Sequence, residues 1–448
     1  MKLHFIAIGG KAMHNLALTL GQKGYQITGS DDEIYDPSRN RLKIAGLLPE
    51  KMGWFPERIH QGLDAVILGM HARKDNPELL KAINLGLKVY SYPEYLYAES
   101  KTKKRIVVCG SHGKTTTTAM IMQALHSAGV DHDYMVGAQL EGYERMVRLT
   151  DAEIIVLEGD EYLSSPIDME PKFLHYHPHI AVITGIAWDH INVFPTFEIY
   201  LEQFRKLCRS VLPGGSIVYF ENDENVVKVI KDTHRQDIEY IPYGSISLDE
   251  ENRAFLAGEW LNLPLIGIHN YQNMKAAMIC AQMVGVTESQ FARAMILYKG
   301  ASRRLQRIQA DYPAMVFLDY AHAPSKVAAT TEAVKKWYKD KKLIAIFELH
   351  TFSSLNRSFL PQYKGALDKA DMAMVYFDDH TIEMKKMDPL DDQLVRDGFG
   401  RKDCRVYNNK ESLVSAIKDM DKNAIFLFMS SGTFSGIDLN NIFRVSDI

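Results

Sequence analysis

The residues with the clearest chemistry are Val107-Val108-Cys109-Gly110-Ser111-His112-Gly113-Lys114-Thr115-Thr116, an apolar run, a glycine-rich turn and a Lys-Thr pair in direct succession. Glycines let a backbone approach an anion, and the N–H groups at the start of a helix point toward it. The Lys114 ammonium supplies a point charge to the outer phosphates of a nucleotide, and the Thr115 hydroxyl is placed to bind Mg2+. The spacing departs from GxxxxGK[ST], because Gly110 lies too close to Lys114. The pattern predicts a short phosphate loop that cradles a nucleotide's phosphates through Gly110, Ser111, His112, Gly113, Lys114, Thr115 and Thr116.

Two further side chains follow apolar runs. Glu161 comes shortly after 153–157 and His190 after 180–184, which places both near the C-terminal ends of strands, where open α/β sheets bind ligands. Carboxylate and imidazole are both metal ligands. Taken alone, Glu161 reads more readily as an anion at a helix start, and His190 as a satisfied core histidine. At the N-terminus, Ile6-Ala7-Ile8-Gly9-Gly10-Lys11-Ala12-Met13 is similar to a dinucleotide fingerprint but lacks the third glycine of GxGxxG.

Five segments in one order then resemble the Mur ligases, the enzymes that build the peptide stem of peptidoglycan. Gly110 to Thr116 resembles their Gly-Thr-x-Gly-Lys-Thr loop, Glu158-Gly159-Asp160-Glu161 their acidic motif, and Asp189-His190 their Asp-His pair. Gly267-Ile268-His269-Asn270-Tyr271-Gln272-Asn273 is similar to the adenine segment, and Asp319-Tyr320-Ala321-His322-Ala323-Pro324 to the motif opening the last domain, with Arg303-Arg304 just before it. The resemblance spans essentially the whole chain. It implies an ATP-dependent, ADP-forming ligase with Lys114, Glu161 and His190 as catalytic residues, and Thr115, Glu161 and His190 as Mg2+ ligands. His269, Asn270 and Asn273 would lie near adenine, Arg303 or Arg304 near phosphate or ribose, and Asp319 near ribose. In the branch most like this chain, Gly9, Gly10 and Met13 cradle the diphosphate of a UDP-sugar, with Ser30 and Asp31 near the uridine. The lysine that several members carbamylate downstream of the Asp-His pair is out of register here, and Lys206 is expected to be a surface residue.

That branch acts on UDP-N-acetylmuramate, and its acceptor is either L-alanine or a whole tripeptide from old cell wall. The alanine-adding members carry Pro-His-Arg-Phe-Thr-Arg after a C-terminal strand; here the segment is Glu348-Leu349-His350-Thr351-Phe352-Ser353-Ser354. Loss of the arginine forks is not a conservative change for binding a small carboxylate. His350 and Thr351 are therefore expected at an amine-substrate site that takes the tripeptide, with Arg357, Lys385 and Lys386 as candidates for its remote carboxylates, although solvated surface is the commoner reading of those three.

The elements that must position these residues are short apolar runs alternating with helical segments, the pattern of α/β layers with mainly parallel strands. Strands are expected at 3–8, 25–28, 65–68, 88–90, 105–109, 153–157, 180–184, 216–220, 314–318, 343–347, 372–376 and 424–429. Three restarts of the pattern predict three domains: a Rossmann-like UDP-sugar domain over 1–99, a P-loop-type ATP domain over 100–302, and a Rossmann-like amine-substrate domain over 303–448. The 448 residues exceed one ordinary core. A net charge of -4 gives no general attraction to nucleic acid. Four scattered cysteines form no CxxC pair and fit buried, reduced thiols. With no signal peptide and no membrane-length apolar run, a cytoplasmic protein without membrane insertion is expected.

Overall fold

The structure is a computed structural model, and it describes residues 1–191, 193–308 and 313–443. Its frame is three mainly parallel sheets in succession. The first has four parallel strands, Lys2–Ile6, Gln26–Ser30, Ala65–Leu68 and Val89–Ser91, with Gln26–Ser30 at one edge beside Lys2–Ile6. The second has seven strands, with Lys104–Cys109 between Ile180–Ile183 and Ile154–Glu158. The third has six, with Ala424–Met429 between Met315–Asp319 and Lys342–Glu348.

The twelve strands expected from apolar runs all form, shifted at most by one or two residues at their ends. Most are fully or largely buried, so hydrophobicity alone marks them; the edge strands Gln26–Ser30 and Val89–Ser91 are only partly buried. Further strands escape that signal: Asp133–Met135, Val147–Arg148, Glu239–Tyr243, Gln306–Ile308 and Arg405–Tyr407 lie at or near sheet edges, and most are only two or three residues long. The hairpins 163–171 and 254–261 are also short and partly exposed. Most of these pieces are too short to show a buried apolar run of their own in the sequence, and pairing with a neighbour sets their conformation.

Packing divides the chain into two compact units. One contains residues 1–186, 196–263 and 272–298 and carries the first two sheets; the other contains 187–195, 264–271 and the chain from Lys299 onward, with the third sheet. The segments bearing Asp189-His190 and His269-Asn270 thus pack with the C-terminal sheet, although they interrupt the central region in sequence. In the second unit, Phe317, Leu343, Phe347, Tyr363, Val375 and Leu427 form part of the core on one face of the sheet, and Val316, Ile346, Phe426 and Phe428 part of the core on the other. All four cysteines are buried and unbonded. Among the described residues, no helix is long and apolar enough to cross a membrane.

Candidate active site

Parallel register decides what surrounds the glycine-rich loop after Cys109. Strand Lys104–Cys109 ends beside Ile154–Glu158, pairing Val108 with Glu158, and beside Ile180–Ile183, pairing Cys109 with Ile183. The loop leaving Cys109 therefore emerges between Glu158 and Thr184. The Thr184 hydroxyl donates to the carbonyls of Cys109, at 3.0 Å, and of His112, and Ser111 N–H donates to Gly185 O at 2.9 Å. Both glycines of the loop are required. Gly110 has φ +129°, and a Cβ there would stand 2.3 Å from Thr184 Oγ1; Gly113 has φ +80°, and a Cβ there would stand 2.3 Å from Asn273 Oδ1. Helix Lys114–Ser127 starts directly after Gly113 with no side-chain cap, so its first N–H groups face the loop, the arrangement that receives a phosphate.

The charged side chains converge on this turn. Lys114 Nζ donates to Gly110 O at 2.6 Å and to Glu161 Oε2 at 2.6 Å. Glu161, 1% exposed, also accepts from the Tyr200 hydroxyl at 3.3 Å, and Tyr200 shares a 2.7 Å hydrogen bond with Ser111 Oγ. Burial acts to lower the Lys114 pKa, but the Glu161, Asp160 and Glu158 carboxylates outweigh it and hold the ammonium above its ordinary range. Thr115 Oγ1 donates to Glu158 Oε1 at 2.9 Å, and Glu158 Oε2 accepts from Gly137 N–H at 2.6 Å. A threonine hydroxyl beside carboxylates is a set of hard oxygen donors that fits Mg2+. In sequence Glu158 only begins the acidic motif; its facing of Thr115 follows from strand register, which has no local sequence signal. Lys206 is on the surface, 3.7 Å from Glu170.

Of the adenine-segment residues, Asn273 packs against Gly113 in the first unit. In the second unit, Asn270 Nδ2 donates to Ile266 O at 2.8 Å, and His269 stacks close to Gly267, where a Cβ would stand 2.8 Å from its ring. Burial lowers the His269 pKa, opposed by Asp319. Asp319 accepts backbone N–H groups from Leu305, at 2.6 Å, and Ala321, at 2.7 Å. It thereby fixes the turn in which Arg303 and Leu305 have positive φ. Arg303 Nη2 donates to the carbonyls of Ser430, at 2.9 Å, and Gly432, and Arg304 lies over the Tyr320 ring at 4.6 Å. His190 has φ +55° and its N–H donates to Asp189 Oδ1 at 2.8 Å. Asp189 pairs with Lys326 at 3.1 Å. Burial would raise the Asp189 pKa, but Lys326, His190 and His322 hold it well below the usual range. Lys326 has no counterpart among the sequence candidates; it lies in the helix after Asp319, and only folding brings it to Asp189.

In the first sheet's crossover, Gly10 precedes helix Lys11–Gln22 without any side-chain cap, and Met13 is buried behind it. Gly9 N–H donates to Asp31 Oδ2 at 2.7 Å, and Ser30 O accepts from Ala7 and Ile8 N–H. Burial, together with Asp32, raises the Asp31 carboxyl to about 6 against the opposing Gly9 bond. In the last domain, His350 Nδ1 lies 3.9 Å from Glu348 Oε1. Thr351 Oγ1 accepts from Ser354 N–H at 3.0 Å, and Thr351 N–H donates to Ser354 Oγ at 2.9 Å.

Comparison with known proteins agrees with this architecture. Three family models match in order: the Mur ligase family catalytic domain over residues 2–104, the Mur ligase middle domain over 108–281, and the Mur ligase glutamate ligase domain over 303–432. The UDP-N-acetylmuramate–L-alanine ligase of Caldicellulosiruptor bescii is 30% identical, with 96% of each chain covered. Among solved structures, a murein peptide ligase from Psychrobacter arcticus aligns over 100% of both chains with TM-score 0.71 at 23% identity. The UDP-N-acetylmuramate–alanine ligase of Thermotoga maritima aligns over 97% of both with TM-score 0.71 at 22% identity. The chain belongs to the Mur ligase family, and is an ATP-dependent, ADP-forming ligase of three α/β domains.

Proposed function

We propose that this enzyme joins the lactyl carboxylate of UDP-N-acetylmuramate to the amine of L-alanyl-γ-D-glutamyl-diaminopimelate in peptidoglycan recycling. The sugar carboxylate attacks the γ-phosphate of ATP, releasing ADP and leaving an acyl phosphate. The peptide amine then attacks the acyl carbon through a tetrahedral intermediate, and phosphate departs. Lys114 neutralises charge on the transferring phosphoryl group, a step that depends on positioning and electrostatics. Thr115, Glu158, Glu161 and His190 would hold Mg2+, which supplies further charge neutralisation when bound. Gly9, Gly10, Met13, Ser30 and Asp31 serve the UDP-sugar, and His269, Asn270, Asn273, Arg303, Arg304 and Asp319 serve the nucleotide. We place the domain limits near residues 99 and 303 and the protein in the cytoplasm.

The observation that supports the acceptor is the segment 348–354. It has no arginine, and the Thr351 and Ser354 hydroxyls are bound to each other in one turn. No rigid donor fork is left there for the carboxylate of a free amino acid. L-alanine is the second reading, favoured by the name of the Caldicellulosiruptor bescii relative. Phosphate release with UDP-N-acetylmuramate, comparing the tripeptide with L-alanine, decides between them. The tripeptide should have the higher kcat/KM by about tenfold or more, a difference of about 1.4 kcal/mol. Equal or better use of L-alanine would reverse the choice.

A further inference from the structure

Three basic side chains are candidates beside the acceptor segment, Arg357 close to it in sequence and Lys385 and Lys386 well beyond it, and the structure separates them. Arg357 spends its guanidinium on the Pro389 carbonyl, with Nε at 2.9 Å and Nη2 also donating. Lys386 is exposed beyond the end of helix Asp379–Met384. Lys385, the residue capping that helix, instead lies with Nζ 4.4 Å from the centroid of the Phe352 ring. It is partly buried, and among the described residues no carboxylate forms an ion pair with it. The aromatic platform beneath it remains accessible: Phe352 is 53% exposed and the neighbouring Met384 70%.

A cation on a ring face gains some attraction, but the ring neutralises no charge. A half-desolvated ammonium without a counter-ion favours an arriving anion more than a fully hydrated surface lysine does. The nearby acids are committed elsewhere. Glu348 accepts from Ser430 Oγ and from Phe434 N–H at 2.9 Å; Asp378 accepts from Ser435 Oγ at 3.0 Å and Thr381 Oγ1 at 3.2 Å. Burial lowers the Lys385 pKa, and the Lys385 charge contributes to lowering that of His350, so the ammonium acts on the segment assigned to the acceptor.

We propose that Lys385, seated on the Phe352 ring, is a recognition site for a carboxylate that the acceptor peptide carries beyond its reacting residue. This inference rests on the ligase reading above and extends it to a particular subsite. The ammonium meets the carboxylate, while the exposed Phe352 ring offers apolar cover to the adjoining methylenes. Free alanine has no second carboxylate to reach this point, so the site contributes selectivity for a peptide.

The test combines a side-chain change with a ligand change. Lys385→Met removes the charge and keeps apolar cover over Phe352; Lys385→Arg keeps the charge. Each full-length enzyme is assayed for phosphate release with ATP, UDP-N-acetylmuramate and either the tripeptide or the same tripeptide with its carboxylates amidated. In the unmodified enzyme, amidation should raise KM by about tenfold or more. Lys385→Met should raise KM for the native tripeptide by about the same factor with kcat within about threefold, and amidation should then add no more than about twofold. Lys385→Arg should keep most of the discrimination. If Lys385→Met suffers from amidation as much as the unmodified enzyme, or keeps its KM, the carboxylate site is overturned while the ligase reading stands. If the unmodified enzyme does not use the tripeptide at all, the acceptor reading and this site fall together.

Discussion

Replacing Lys114 by alanine separates a chemical loss from a structural one. Its ammonium lies 2.6 Å from both Glu161 Oε2 and Gly110 O, so it holds an acidic side chain and the loop main chain in addition to the phosphate role proposed for it. Loss of a preorganised donor to developing charge costs about 10²–10³ in kcat, or about 2.7–4 kcal/mol. Removing one partner of a buried pair adds a stability loss of up to about 3–5 kcal/mol, because Glu161 is left buried without its cation. The Tyr200 hydroxyl, 3.3 Å from Glu161 Oε1, remains as a partial partner, which places the loss toward the lower end. Lys114→Ala should therefore release phosphate at least about a hundredfold more slowly and melt at a lower temperature. Adding Glu161→Gln should recover much of the melting temperature by removing the buried carboxylate that lost its ammonium partner, without recovering turnover. Phosphate release at saturating ATP, together with thermal unfolding of the three variants, measures both parts. Near-normal turnover in Lys114→Ala would remove the residue from the chemistry. A double variant no more stable than Lys114→Ala would show that the buried pair is not the source of the structural cost.

The remaining expectations concern metal and pH. Glu161→Gln and His190→Ala should each raise the Mg2+ concentration needed for half-maximal rate or lower kcat, by about tenfold; an unchanged Mg2+ titration in both would return these residues to structural roles. Asp31, raised by burial to about 6, lies above its unfolded value of about 3.9. The folded state then binds the extra proton, so the contribution of this group is full below pH ~4 and is lost as pH rises through about 6. After allowance for solvent screening, that loss is about 1 kcal/mol. Asp31→Asn can still accept from Gly9 N–H and should remove this component. The difference between unfolding midpoints at pH 4.5 and pH 7.5 should shrink in the variant, and an unchanged difference would refute the assignment.

The sequence by itself determined the strands buried on both faces, the helix after Gly113 and the order of the motifs. These features are written in contiguous residues: apolar runs such as Ile180–Ile183, and glycines at Gly110 and Gly113 where φ is positive and a Cβ would collide. Tertiary structure decided which side chains from distant segments meet. Glu158 faces Thr115 because two parallel strands are in register, and Lys326 pairs with Asp189 across 137 positions of sequence. Thr351 binds Ser354 within its own turn, and of the three basic candidates Lys385 is the one that rests on Phe352. A sequence shows that a cation exists; burial, partners and distance decide what that cation can do, and these arise only when the chain packs.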